Sequence, residues 1–148
     1  MKRWNMWLTK TNQVGTVEAA LVANFLFEGG IPVDGAVESN EHIVETAWTT
    51  NQGRPFYVVR DWFLLDVMVP SDVEDGLKAM GLQPTVVYAE TVVYDSRTED
   101  SRLGAIRSSF QRVLDGCTFE SMNTSFILAG PGIRKYVSLP ALLALENI

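Results

Sequence analysis

The 148-residue sequence predicts a single α+β domain: a mainly antiparallel sheet, a C-terminal β-hairpin and three to four short helices. Three observations predict it. Runs rich in β-branched and aromatic residues recur between Phe56 and Ala129, each bounded by turn residues. Asp115-Gly116, set between two such runs, is the strongest short hairpin signal, because a type I′ turn needs positive φ at both central residues. The long helical patterns come first and only short ones follow, so helices and strands segregate instead of alternating.

Trp4 to Leu8 alternates, with Trp4, Met6 and Leu8 on one face and Asn5 and Trp7 on the other, which predicts a short strand. Gly15-Thr16 then caps a helix over Val17 to Glu28, stopped by Gly29-Gly30 and Pro32. Its apolar residues go nearly all round, which predicts a central, buried helix with Asn24 in need of a partner. Ser39 caps a second helix to Thr50, placing Ile43, Val44, Ala47 and Trp48 on one face. The β-branched Ile43, Val44, Thr46, Thr49 and Thr50 keep a strand open as the rival reading, and Asn51-Gln52-Gly53 ends either element.

Pro55 to Val69 reads as two strands with a turn or bend at Arg60-Asp61. Ser71-Asp72-Val73-Glu74 has capping-box spacing and predicts a helix to Met80 that closes at Gly81. Pro84 to Tyr94 is a strand bent at Ala89-Glu90, and Asp95 to Gly104 a polar loop expected to be mobile. Ala105 to Leu114 and Cys117 to Ala129 form the hairpin, pairing Leu114 with Cys117, Arg112 with Phe119 and Phe110 with Ser121. Gly130-Pro131-Gly132 ends the sheet, and Ser138 caps a last helix with Pro140 in its first turn, docked by Ala141, Leu142, Leu143 and Leu145.

A hydrophobic fraction of 47% and a charged fraction of 20% suit one globular domain over residues 1–148. The net charge of -6 opposes nonspecific phosphate-backbone binding, which draws its free energy from lysine and arginine, so nucleic acid is not the expected partner. A lone cysteine cannot form an internal disulfide, and Met1-Lys2-Arg3-Trp4-Asn5 opens no apolar run of signal-peptide length, so the expected location is the cytoplasm. Val17 to Phe27 falls short of the ~20 apolar residues a membrane span needs. Asn123-Thr124-Ser125 spells a glycosylation acceptor, which has no consequence without secretion.

One histidine and one cysteine are the whole imidazole and thiol inventory. Catalysis near neutral pH leans on those groups, so the chain offers few routes to it. Cys117 reads as a small apolar strand residue and His42, beside Glu38, Glu41 and Glu45, as part of a solvated helix end. Asp61 and Asp66 would permit acid–base work only if a bend brought them together, because residues at odd separation on one strand face opposite ways. Asp95, Glu99 and Asp100 lack the ligand alternation of a calcium loop, and one histidine with one cysteine cannot build a zinc site. Gly130-Pro131-Gly132 followed by Arg134 and Lys135 lacks the strand-to-helix pattern of a phosphate loop. Arg97, Arg102, Arg107 and Arg112 could form a basic patch, with little aromatic interleaving for base stacking. Of Trp4, Trp7, Trp48 and Trp62, the second and last are the expected surface anchors.

No catalytic residue, metal ligand or cofactor is therefore expected, and the candidate binding residues are Trp7, Trp62, Asp61, Arg97 and Arg102. The stretch from Asp61-Trp62 to Asp66-Val67, with Gly81-Leu82-Gln83-Pro84, Tyr94-Asp95-Ser96 and Asn123-Thr124 to Gly130-Pro131-Gly132, resembles an uncharacterised family of short bacterial proteins found in pseudomonads and their mobile elements. The likeness covers Phe56 to Arg134. It implies a small cytoplasmic accessory or phage-associated protein and carries over no catalytic residue.

The expected function is thus non-enzymatic binding of another protein, as an accessory or inhibitor from a mobile element, for example one that blocks a CRISPR effector. A small enzyme using Cys117 or Asp61 and Asp66, and a self-associating structural protein, are the alternatives. Neither nucleic acid nor membrane is the expected partner, and a homo-oligomer remains open.

Overall fold

The computed structural model describes residues 29–145. The expected strand at Trp4 to Leu8, with Trp7, and the expected helix at Val17 to Glu28 lie outside them. The described chain runs β1 (Ile31–Val33), α1 (Asn40–Thr50), β2 (Phe56–Met68), α2 (Ser71–Ala79), β3 (Thr85–Asp95), β4 (Asp100–Arg102), β5 (Ile106–Arg107), β6 (Val113–Asp115), β7 (Thr118–Glu120), β8 (Ser125–Leu128), β9 (Gly132–Ser138) and α3 (Leu139–Leu145).

The expected α+β class with a mainly antiparallel sheet and a C-terminal hairpin is not what forms. The fold is mostly sheet, 45% strand against 23% helix, with three helices among the described residues and a mixed sheet curled into a half-barrel. Its order is β1-β9-β2-β8-β7-β6, with β3 on the other edge of β2 and β4 and β5 on β3. The mixing arises at β2, which is long enough to take two parallel neighbours in succession: β8 along Phe56 to Val59, then β9 along Phe63 to Met68. On its other side β2 pairs antiparallel with β3.

One break in the chain makes β8 parallel to β2. The expected strand from Cys117 to Ala129 divides at residues 121–124, and its second half turns back as β8. Arg54 holds that turn. Its guanidinium donates to the carbonyls of Ser121, Met122 and Thr124 and to the Ser125 hydroxyl. The hairpin of β6 and β7 consequently lies at a sheet edge, and β9 and α3 follow it.

The hairpin turn sits one residue later than expected, which moves each pairing by two: Asp115 pairs with Thr118 and Leu114 with Phe119, leaving Gly116 and Cys117 as the central turn residues. Gly116 supplies the positive φ, 58°, at the first of them. This register sets Phe119, fully buried, beside Leu114 in one cluster, whereas the expected pairing would put it opposite Arg112. A two-residue shift keeps every side chain on its face and changes only its cross-strand neighbour, so the observed register sets Phe119 against an apolar partner instead of an arginine.

Residues 56–68 form one strand, not two, although Arg60-Asp61 does mark a bend. Asp61 has φ of 53°, and there the alternation changes phase. Before it, Tyr57 and Val59 face the concave side; after it, Trp62 and Leu64 do. The bend expected at Ala89-Glu90 lies alongside on β3, where Val92 and Ala89 both join that concave cluster. Phe56 and Val58 turn to the convex side, where Ile43 and Ala47 of α1 cover them. Phe63, Leu65 and Val67 are covered there by Leu77 of α2 and Leu142 of α3. Burying both faces of so long a strand is what makes its sequence nearly continuously apolar.

Local signals explain the helices. Ser39 caps α1 by accepting from the His42 N–H at 3.2 Å, and the strand alternative for this stretch does not form. Ser138 caps α3 in the same way through the Ala141 N–H. The capping box at Ser71 does not form: α2 begins one residue earlier than expected, with Pro70 at the cap and no side-chain bond there. Part of the expected loop at Asp95 to Gly104 is β4, paired with β3. Among the described residues no helix is long and apolar enough to cross a membrane.

Candidate functional site

A cleft lies on the convex side, between α1 and the turn that joins β6 to β7. Residues 35–38 form one end of it, because Ala36 bridges to Ala129, donating to the Leu128 carbonyl and accepting from the Gly130 N–H. Ile43, Ala47 and Ile127 line the apolar part of the cleft, and Glu38, Thr46, Thr50 and Thr118 supply polar edges. Val37 stands at the same place, 91% exposed. The cavity volume is about 400 Å³, within the range of ligand clefts and large enough for two or three side chains of a bound segment.

Both His42 and Cys117 line this cleft. The expectation that the single imidazole and single thiol serve only as a solvated helix end and a strand residue is therefore incomplete. The fold brings one exposed histidine and one half-buried cysteine to a common hollow. Among the described residues no hydrogen bond joins them, and no side chain orients the imidazole as the third member of a nucleophile–base–orienter set would. Of three nearby carboxylates, Glu38 precedes the Ser39 cap, Glu41 lies in the first turn of α1 and Glu45 at its middle, and α1 has no basic residue in its last turn.

The two aspartates do not converge. Asp61 is exposed at the bend and accepts from the Thr91 hydroxyl at 2.8 Å. Asp66 is half-buried on the opposite edge of the bend and receives both Nε and Nη2 of Arg134 at 2.8 Å, with the Thr85 hydroxyl at 2.7 Å. Burial by itself would raise the Asp66 pKa, but the Arg134 and Thr85 hydrogen bonds together with the Arg134 charge outweigh it and hold the carboxyl below its ordinary value. A second hollow beside this pair, edged by Met68 and Tyr136, thus has its Asp66 and Arg134 charges already paired with each other.

Trp62 is 1% exposed and belongs to the concave core, so it presents no surface anchor. Its indole N–H donates to the carbonyls of Ala129 at 3.1 Å and Gly130 at 3.3 Å, fastening β2 to the Gly130-Pro131-Gly132 turn. Among the described residues Trp48 is the tryptophan at the surface, its indole bonded to the Tyr94 hydroxyl, and Trp7 lies outside them. Arg97 and Arg102 come together: each places Nη1 3.2 Å from the Tyr57 hydroxyl. Among the described residues no three His, Cys, Asp or Glu side chains group as metal ligands.

Sequence reasoning missed the cleft because its walls come from three separated segments. The visible signal was small, an apolar Val37 among turn and polar residues at 34–38.

Fold and cleft together define a small mixed-sheet protein with a segment-sized groove and no assembled catalytic array among the described residues. The chain belongs to the family described as a domain of unknown function, DUF6957, which matches residues 34–144. That match agrees with the uncharacterised family expected from the sequence and reaches beyond Phe56 to Arg134 at both ends. No curated protein and no solved structure matches the chain.

Proposed function

We propose that the protein is a non-enzymatic binding protein that takes a segment of a protein partner into the cleft between α1 and the β6–β7 turn. The cleft itself carries the reading: an apolar floor of Ile43, Ala47 and Ile127 under a rim bearing Glu38, with Glu41 and Glu45 on α1. Such a surface fits an apolar anchor flanked by basic residues, with the carboxylates setting orientation and encounter rate more than affinity. An accessory or inhibitor from a bacterial mobile element, acting in the cytoplasm on a nucleic-acid-binding host protein, is the specific form of this reading. Its supports are the net charge of -6 and the family resemblance.

The test compares proteins retained from a bacterial lysate by wild type, Thr46→Trp, Glu38→Lys and an Asp72→Lys control on α2. A partner held by wild type and control but lost by both cleft variants is the expected result. Equal retention by all four, or by none, sinks the reading.

A thiol enzyme is the second reading, favoured by His42 and Cys117 sharing the cleft. Cys117→Ser separates the two: a binding protein keeps its partner, whereas a nucleophile's loss abolishes turnover.

A further inference from the structure

We propose that Arg97, Arg102 and Tyr57 form a binding site for a single phosphate group. Tyr57 lies on the concave face, its ring stacked on Phe126 with centroids 5.4 Å apart, so the site is separate from the α1 cleft and stands whether or not that cleft binds a partner. Both guanidinium groups approach the same phenol. Each Nη1 is 3.2 Å from its oxygen and each guanidinium carbon 6.0 Å from the ring centroid, which holds the two charged groups within about twice the hydrogen-bond distance of one another.

Like charges this close repel unless an anion sits between them, yet neither arginine has an ion pair among the described residues. Two carboxylates of the same loop, Asp95 and Asp100, are turned elsewhere, and among the described residues Glu99 makes no ion pair with either arginine. Asp95 accepts from the Arg97 backbone N–H at 2.9 Å, and Asp100 from the Ser101 N–H at 2.7 Å. The loop thus ties these acids to its own backbone and leaves two guanidinium forks facing solvent.

A phenolic oxygen that accepts two hydrogen bonds keeps its own O–H to donate, so three donors are available to one ligand. Guanidinium forks match the oxygens of phosphate, and two positive charges balance a dianion where a carboxylate would balance only one. The acidity of the whole molecule, -6, selects a single phosphate group over a long polyanion.

Two probes distinguish the source of the phosphate: inorganic phosphate and O-phosphoserine, each titrated into the full chain while the arginine Nε–H resonances are followed by NMR. Saturable shifts confined to Arg97 and Arg102 are expected with at least one probe. Stronger binding of O-phosphoserine assigns the site to a phosphate monoester, and stronger binding of inorganic phosphate to the free ion. Arg97→Gln and Arg102→Gln, both at exposed positions, should each weaken binding at least about tenfold, the scale of one lost charge-assisted hydrogen-bond set. Absence of saturation with both probes, unchanged binding in both variants, or acetate binding as tightly as phosphate would each overturn the proposal.

Discussion

The indole of Trp62 lies directly against the α-carbon of Gly132: a Cβ built there would come within 2.3 Å of the ring. This contact joins the middle of β2 to the first residue of β9, at the point where β2 exchanges β8 for β9 as its parallel neighbour. Gly132→Ala is therefore expected to destabilise the fold by about 2–3 kcal/mol through overpacking. Trp62→Phe, which keeps the apolar bulk but removes the donor to Ala129 and Gly130, should cost about 2 kcal/mol. Urea unfolding measures both, and an alanine variant as stable as wild type would show that β9 is free to move away from the ring.

Asp61 tests the bend. Its left-handed φ of 53° suits Asp or Asn and penalises β-branched residues, so Asp61→Asn should stay within about 0.5 kcal/mol of wild type while Asp61→Val loses about 1–2 kcal/mol. Thermal unfolding of the pair decides the point. If valine is tolerated as well as asparagine, the change of phase in β2 does not depend on that conformation.

The Asp66–Arg134 pair makes stability depend on acid. Since the Asp66 carboxyl is held below its ordinary 3.8 in the folded chain, its contribution is complete above that value and disappears as the pH falls through the lower, folded-state value. Asp66→Asn should thus cost about 1–2 kcal/mol at neutral pH, a figure moderated by partial exposure of both partners, and progressively less below about pH 4. Denaturant midpoints of wild type and variant measured across that range should converge on acidification. Parallel pH profiles would remove the pair from the account.

Arg54 fastens residues 121–124 with a fork that lysine cannot reproduce. Arg54→Ala should destabilise by about 2–3 kcal/mol, and Arg54→Lys should recover less than about half of the loss. Amide hydrogen exchange over Ser125 to Leu128 should quicken in both. Unchanged protection there would mean that β8 is placed by its parallel pairing with β2 and not by the arginine.

Much of the local structure was legible in the residues. Ser39 and Ser138 mark helix starts because a cap depends on a hydroxyl and an N–H three residues away. The bends at Asp61 and Glu90 and the turn at Gly116 were visible as polar or flexible residues interrupting apolar runs. The candidate site was barely legible: the separation of the two aspartates was expected, but Trp62 is in the core, and Arg97 and Arg102 meet only because β4 folds back along β3.

By itself, then, the sequence determined where α1 and α3 start and where β2 bends, and that the chain resembles an uncharacterised family. Those properties rest on interactions among a few neighbouring residues. Tertiary structure alone decided that β8 and β9 run parallel to β2, which register the hairpin takes, and that His42 and Cys117 share a cleft. Such choices turn on which distant apolar faces can be buried together, a condition satisfied by the whole chain at once.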